Sequence, residues 1–403
     1  MRLFGFFGGF FCGAAVSTGS CVTALKLYQL ETGQEQKGTS EKVPEVREDI
    51  GRFGFPVTGA EVRHYANHTL SYDQSKRTPR WVAEHLTNHK LQGNTERKHC
   101  RFRPDPAIPA CFSATNGDYF RSGWSRGHMA PAGDNKQSER FMADTFLLSN
   151  IVPQNYENNA GFWNRLEMYC RDLTKRFQDV WVVSGPLVLP QEVDGKRKVS
   201  YQVIGNDGVA VPTHLFKVIL VQNNNVSDKA EQSQSPPLAL GAFIIPNQPI
   251  SFERSLTDFQ VSLLELEKAA GLTFYPRLPK TSDPASETAG GNSKTRTEQE
   301  IKSNNKEVNL NTEQSAADSI PTEFGPPTDL CKVDGCKLMG YKEFTLYLTG
   351  RKVGSARSIE KLEKFMSELK DQGIQPDDYL TNLYQQKKEE LANKEPPKGK
   401  TGV

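Results

Sequence analysis

The chain has 403 residues, 36% hydrophobic and 24% charged, and its 50 Lys and Arg nearly balance 48 Asp and Glu for a formal charge of +2. A mass of 45.0 kDa with mean hydropathy −0.59 suits one large core domain plus an appendage and excludes a multi-pass transporter or channel. Charge balance excludes a global basic field, so any attraction to nucleic acid has to be local, and seven cysteines in a chain this long exclude a disulfide-dense secreted scaffold.

Leu3 to Leu25 carry no charged residue over 23 positions, between Arg2 and Lys26. That is long enough to cross a bilayer, but its glycines weaken it as a span, so a cleaved secretory signal and a membrane-anchoring organelle presequence compete with a transmembrane anchor. Residues 1–29 are read as this targeting or anchor segment, and 30–52, polar and rich in Glu and Lys, as a tether. The sequons Asn67-His68-Thr69 and Asn225-Val226-Ser227 carry little weight, since two are unsurprising at this length.

From 53 to 280 aromatic residues recur and short apolar runs alternate with helical patterns, which predicts a packed α+β domain. Val180–Val183, Leu215–Val221 and Ala242–Ile245 are β-branched or aromatic runs bounded by turn residues and are expected as central strands. Thr257-Asp258-Phe259-Gln260 matches a capping box, which predicts a helix over 257–271 ending at Gly271. Thr281 to Glu323 contain no Phe, Tyr, Trp or Cys in 43 residues, so they cannot offset their ordering entropy by burial, and 281–329 is expected as a flexible linker. A helical wing is expected over 330–393, including a helix from Ser358 to Gln372 with Ile359, Leu362, Met366 and Leu369 on one face, followed by a disordered tail over 394–403. Cys331 and Cys336 lack a second ligand pair, so a local disulfide or two free thiols are favoured over zinc.

The candidate chemistry lies between Trp124 and Glu167. In Ser125-Arg126-Gly127-His128, an imidazole that titrates near neutrality sits beside a guanidinium suited to phosphate oxyanions. Farther on, Asn159, Trp163 and Glu167 are spaced four apart, which on a helix places an amide and a carboxylate on one face with an aromatic between them. Such oxygen donors suit a hard cation that keeps most of its waters. Taken alone, the histidine reads more readily as a surface or core residue beside a turn glycine, and the helix as an ordinary amphipathic one with Trp163, Leu166 and Met168 in the core. Lys76 to Arg103 hold eight Lys or Arg and two acids, a local net of +6 that suits a phosphate backbone.

Together, Ser125-Arg126-Gly127-His128, Leu148-Ser149-Asn150 with Pro153-Gln154, and Asn159-(x)3-Trp163-(x)3-Glu167 resemble the signature of the DNA/RNA non-specific endonucleases of the ββα-metal type, which include endonuclease G. The resemblance runs from Tyr72-Asp73 and Trp81, through Ser184-Gly185-Pro186, to 257–271. It implies a ββα-metal nuclease fold, with a central antiparallel sheet flanked by helices and a small C-terminal helical extension, and a homodimer. It further implies His128 as general base, Asn159 as the one direct ligand of a single Mg²⁺ with Mn²⁺ as substitute, and Glu167 orienting a water around that ion. Arg126 and Arg97 would contact the scissile phosphate, and Asn150 would join them in binding substrate.

Ser125 stands where most of the family has Asp. This serine, the helical extension and Phe53-Gly54-Phe55-Pro56, Ser71-Tyr72-Asp73-Gln74, Arg97-Lys98-His99-Cys100 and Glu343–Leu348 resemble the mitochondrial exo/endonuclease G branch. That branch implies a 5′–3′ exonuclease acting on DNA, and on RNA as a second substrate, anchored in the mitochondrial inner membrane by the N-terminal segment. The competing readings are a pure endonuclease of the endonuclease G kind and a nucleic-acid-binding protein without catalysis.

Overall fold

The computed structural model describes Arg52 and residues 61–222, 238–279 and 325–394. The apolar segment 1–29, the tether apart from Arg52, most of the linker, the Asn225 sequon and the tail after Lys394 lie outside the described residues. Among the described residues no helix is long and apolar enough to cross a membrane.

The centre is an eight-stranded sheet. Its path runs β1 (Val62–His64), β2 (Thr69–Asp73), β3 (Thr78–Leu86), β6 (Asp179–Leu187), β11 (His214–Gln222), β12 (Leu238–Pro246) and β13 (Gln260–Val261), all antiparallel, and β14 (Thr328–Asp329) adds to β12 in parallel. The three runs expected as central strands lie in β6, β11 and β12, three adjacent interior strands of the sheet. β6 and β11 pair along nine residues, from Asp179↔Gln222 to Leu187↔His214. Their near-continuous apolar composition follows from burial on both faces. On one face Val180, Val182, Leu215, Ile219 and Val221 pack with Trp163, Leu166, Tyr169, Cys170 and Leu173 of the helical segment over 156–173. On the other, Phe216 meets Phe274 edge to face and the Tyr275 hydroxyl donates to the Trp181 carbonyl at 3.1 Å.

Separate two-stranded ribbons are β4 (Ser125–His128) with β5 (Ile151–Gln154), β7 (Gln191–Val193) with β8 (Lys196–Lys198), and β9 (Val203–Ile204) with β10 (Val209–Ala210). Helix α1 spans Glu139–Thr145 and α2 spans Asn164–Leu173. Asn67, the asparagine of the first sequon, is only 3% exposed and donates to Asn135, so the fold leaves no room for a glycan there.

Three expectations are corrected. The region 257–271 is not one helix: a Ser255–Asp258 capping box starts a 3₁₀ turn over Leu256–Phe259, Gln260 and Val261 then pair with Phe243 and Ala242, and α3 covers only Leu263–Ala270. A second capping box, Ser262 with Glu265, opens that helix, and Gly271 at φ 64° closes it in the left-handed conformation that glycine adopts without strain. The exposed edge of β12 captures the two residues between the boxes. The linker does not extend to 329 either, because Thr328 and Asp329 pair with Ala239 and Leu240. Third, the wing does not begin at 330: α4 (Leu330–Asp334) sends the fully buried Leu330 into the main core together with Cys336. Cys336 is disulfide-bonded to Cys331, one of the two states expected for that pair.

Helices α5 (Tyr341–Gly354), α6 (Ile359–Asp371) and α7 (Asp378–Lys394) form the wing around Val353, Ala356, Leu362, Leu369, Ile374, Leu380 and Leu391. Ser358 caps α6 by accepting from the Lys361 amide, and Leu362 and Leu369 are its buried residues, flanked by the half-buried Ile359 and Met366.

Candidate active site

The β4–β5 ribbon sets Ser125 opposite Gln154 and His128 opposite Ile151. Gly127 is required there: a Cβ would lie 2.1 Å from Gln154 Oε1 and 2.7 Å from its Cβ. Gln154 cannot give way, because it is fully buried and donates to Asn158 Oδ1 at 2.8 Å. Asn158 in turn donates to the carbonyls of Pro246 and Gln248, which ties the start of the next helical segment to the sheet.

Asn150 is corrected by its surroundings. It is fully buried, its Oδ1 accepts from the Ala130 amide, and its Nδ2 donates to the carbonyls of Ala130 and Thr145, all at 2.9 Å. No polar atom is left for a substrate. Its place is to fix the backbone immediately after His128.

The helical segment begins at Tyr156–Asn158, passes through a π turn over Asn159–Trp163 and continues as α2. The π turn adds a residue to the helical repeat, which rotates the faces apart. Asn159, Asn164 and Glu167 line a cleft, whereas Trp163 is fully buried in the core, so the expected aromatic between amide and carboxylate is replaced by Asn164. The hydroxyl of Ser125 donates to the Gln154 carbonyl at 2.8 Å, so its oxygen accepts from Asn159 Nδ2 at 3.1 Å. That bond decides the amide's orientation and leaves the carbonyl Oδ1 for the cleft.

His128 is packed between Phe102 and Phe146, with ring centroids 5.3 and 4.9 Å away. The Arg97 guanidinium lies over Phe146 at 5.6 Å, and that of Arg126 over Phe102 at 5.5 Å and Tyr119 at 5.2 Å, with Arg126 Nη2 donating to the Asn116 carbonyl. Burial first, then the charge of Arg97, push the pKa of His128 down to about 3, and its Nε2 has no hydrogen-bond partner among the described residues. The imidazole is therefore neutral, and its Nε2 is turned away from solvent. Burial drives Glu167 the other way, up to about 7, against the lowering charges of Arg171 and Lys217. Arg171 is itself held by Asp134 at 2.6 Å.

The cleft, about 1270 Å³, is lined by Arg97, Arg126, His128, Asn159 and Glu167 from the core. Tyr347, Arg351, Arg357 and Leu391 of the wing form its opposite wall. The structure thus brings together five of the six expected site residues and separates Asn150 from them.

Behind His128 lies His68, fully buried, stacked on Tyr65 with centroids 4.7 Å apart, and without a partner at either ring nitrogen among the described residues. Burial lowers its pKa to about 4. Both histidines are neutral when folded but protonate near 6.5 in the unfolded chain, so acid adds more protons to the unfolded state. Stability present above pH 6.5 should fall as pH drops toward 4. Calorimetry between those limits is expected to show a declining melting temperature and a flatter slope in His68→Phe; parallel slopes would remove His68 as a cause.

Sequence comparison places this geometry. The family profile for DNA/RNA non-specific endonuclease matches residues 47–281. The chain belongs to that family. It is a nucleic-acid-hydrolysing enzyme, and a second profile, the endo/exonuclease (EXOG) C-terminal domain, matches residues 339–387. Among relatives, "Nuclease EXOG, mitochondrial" of Danio rerio is 51% identical over 97% of this chain and 96% of its own length. The protein of the same name from Xenopus laevis is 50% identical over 96% and 94%. A solved EndoG/EndoGI complex superposes with TM-score 0.55 at 38% identity, covering 59% of this chain and 94% of that one.

Nucleases of this family are metal-dependent, and the residues fit a cation. Asn159 Oδ1 and the Glu167 carboxylate are hard oxygen donors, too few to strip an ion of its water, which suits Mg²⁺. Among the described residues no group of three or more His, Cys, Asp or Glu could hold a metal, so a fully protein-ligated zinc-type site has no donors. Sequence reasoning missed Arg171 and the structural part of Ser125. The first signal was available: Arg171 stands four residues after Glu167, on the same helical face.

Proposed function

We propose that this nuclease is Mg²⁺-dependent, with Mn²⁺ as substitute, tolerant of the sugar, and works from 5′ ends in the maintenance of mitochondrial DNA. The observation that carries the reading is a neutral His128 lining the same cleft as Asn159, Glu167 and two arginines. Asn159 would hold the cation, with Glu167 accepting hydrogen bonds from its hydration water. When bound, the cation supplies charge stabilisation to the attacked phosphate. The His128 imidazole takes a proton from the attacking water, and the Phe102 and Phe146 rings keep it desolvated and oriented. Arg97 and Arg126 bind the phosphate oxygens bidentately as their charge grows. Contacts directed at phosphate leave the sugar and base unread, which supports action on RNA as well as DNA.

The 5′-end preference is supported by the wing wall, which closes one side of the cleft to a continuous duplex, and by the EXOG name of the full-length relatives. Mitochondrial location follows from the same names, and inner-membrane attachment through residues 1–29 and homodimerisation complete the proposal. A complete catalytic set argues against a binding protein without catalysis.

The test is a time course with purified protein on 5′-labelled linear, internally labelled and closed-circular DNA, with Mg²⁺ and with chelator. Short 5′ products appearing before internal cuts, and only with the metal, are expected. Circle nicking as fast as end release would favour a pure endonuclease, and no cleavage of any substrate would favour a binding protein.

A further inference from the structure

A charged side chain occupies the middle of the sheet beneath the catalytic helix. In β11, Leu215, Lys217, Ile219 and Val221 alternate toward the face that α2 covers, and Lys217 is only 1% exposed. Its Nζ donates to Ser184 Oγ at 2.5 Å and sits 4.6 Å from the centroid of the Trp163 ring. Trp163 ends the five-residue π turn that Asn159 begins. The indole Nε1 of Trp163 has no hydrogen-bond partner among the described residues, so this ring is held through its face by the ammonium and not through its N–H. At the other end, Asn158 is pinned to the carbonyls of Pro246 and Gln248.

We propose that Lys217 is a positioning residue: through the face of Trp163 it holds the π turn that presents the Asn159 carbonyl to the cleft, and so sets the cation affinity of the site. This rests on the reading of Asn159 as the cation's ligand. An ammonium in a core slot flanked by Leu215 and Ile219 is costly to bury, and an apolar residue of the same volume would pack there at least as stably. A purely structural role is thus poorly served by lysine. The rival role is neutralisation of Glu84, which shares this face of the sheet across β6, is 2% exposed, and has an Oε1 without a hydrogen-bond partner among the described residues. The charge of Lys217 acts on Glu84, and on Glu167 as well, but its direct contacts are with Ser184 and Trp163.

The test uses the full chain and Mn²⁺ alone as probe, with binding followed by electron paramagnetic resonance and folding by melting temperature. Lys217→Met is expected to weaken Mn²⁺ binding by about tenfold or more, as loss of an outer partner of a metal ligand does. Its melting temperature should stay near the parent's, and KM for DNA should be unchanged because Arg97 and Arg126 are untouched. A folded Lys217→Met with parental Mn²⁺ affinity overturns the proposal. Recovery of affinity in Glu84→Gln/Lys217→Met also overturns it, in favour of charge neutralisation. If Lys217→Met does not fold, Trp163→Phe, which weakens the ring face while keeping an aromatic, should still lose Mn²⁺ affinity, and parental affinity there is the overturning result. Asn159→Ala is the control: if it binds Mn²⁺ as the parent does, the assignment of the ligand has failed, and the proposal with it.

Discussion

His128→Ala is expected to cut on the order of 10³-fold more slowly than the parent while binding DNA nearly as well, because the imidazole moves a proton and the phosphate contacts supply affinity. The geometry makes the two effects separable. His128 touches Phe102 and Phe146, whereas Arg97 and Arg126 lie over the rings of Phe146 and Phe102 and line the cleft themselves. Removing the imidazole opens a space between the two phenyl rings, so melting temperature has to be measured alongside the rate. A folded variant that retains a tenth of parental cleavage would exclude His128 as the base. The pH dependence of the parent sharpens the expectation. With its pKa near 3, His128 stays in the proton-accepting form through the physiological range, so an acid limb near neutrality belongs to another group. Glu167, raised to about 7, is the candidate, and Glu167→Gln should flatten that limb.

The strands and the catalytic motifs were legible because each follows from a local pattern. Val180–Val183 and Leu215–Val221 are apolar without alternation, which only a strand buried on both faces tolerates. Ser125 to His128 and Asn159 to Glu167 are legible as an ordered family motif, since spacing alone sets Trp163 between Asn159 and Glu167, where the structure has Asn164. What escaped depends on contacts distant in sequence. The π turn at Asn159–Trp163 follows no local pattern and is held by Lys217, more than fifty residues on, and by Asn158 bonding to Pro246 and Gln248. The resemblance implies Asn150 as a substrate ligand, yet its amide closes three backbone bonds. One misread signal was present all along: a lysine in the middle of an apolar central strand, with Glu84 in the similar run Trp81 to Leu86, marks a buried polar arrangement.

Truncation after Met339 is expected to preserve hydrolysis and to raise nicking of a closed circle, relative to release of short 5′ products, by about tenfold, or roughly 1.4 kcal/mol of selectivity. The cut has to fall there. Ending the chain after Lys280 would remove β14 and the fully buried Leu330, and loss of a buried leucine alone costs roughly 2–5 kcal/mol, so the sheet and not the wing would be tested. Met339 keeps its carbonyl bond from Arg165 Nη1, and Asp334 keeps its bonds from Tyr169 and Arg176, so the back of α2 remains covered. What leaves is the wing, including Tyr347, Arg351, Arg357 and Leu391 on the far wall of the cleft, and Tyr341 and Phe344, which pack on Phe252. With that wall gone the groove opens on one side, and a continuous duplex can lie across Arg97 and Arg126 without presenting an end. The removed wall also carries positive charge, so binding should become less sensitive to salt as phosphate contacts are lost. The alternative is that the wing only stabilises the core, since its stripe of Leu362 and Leu369 has to be buried in any case. In that case circle nicking and end release should fall together with melting temperature, and the ratio between them should not move.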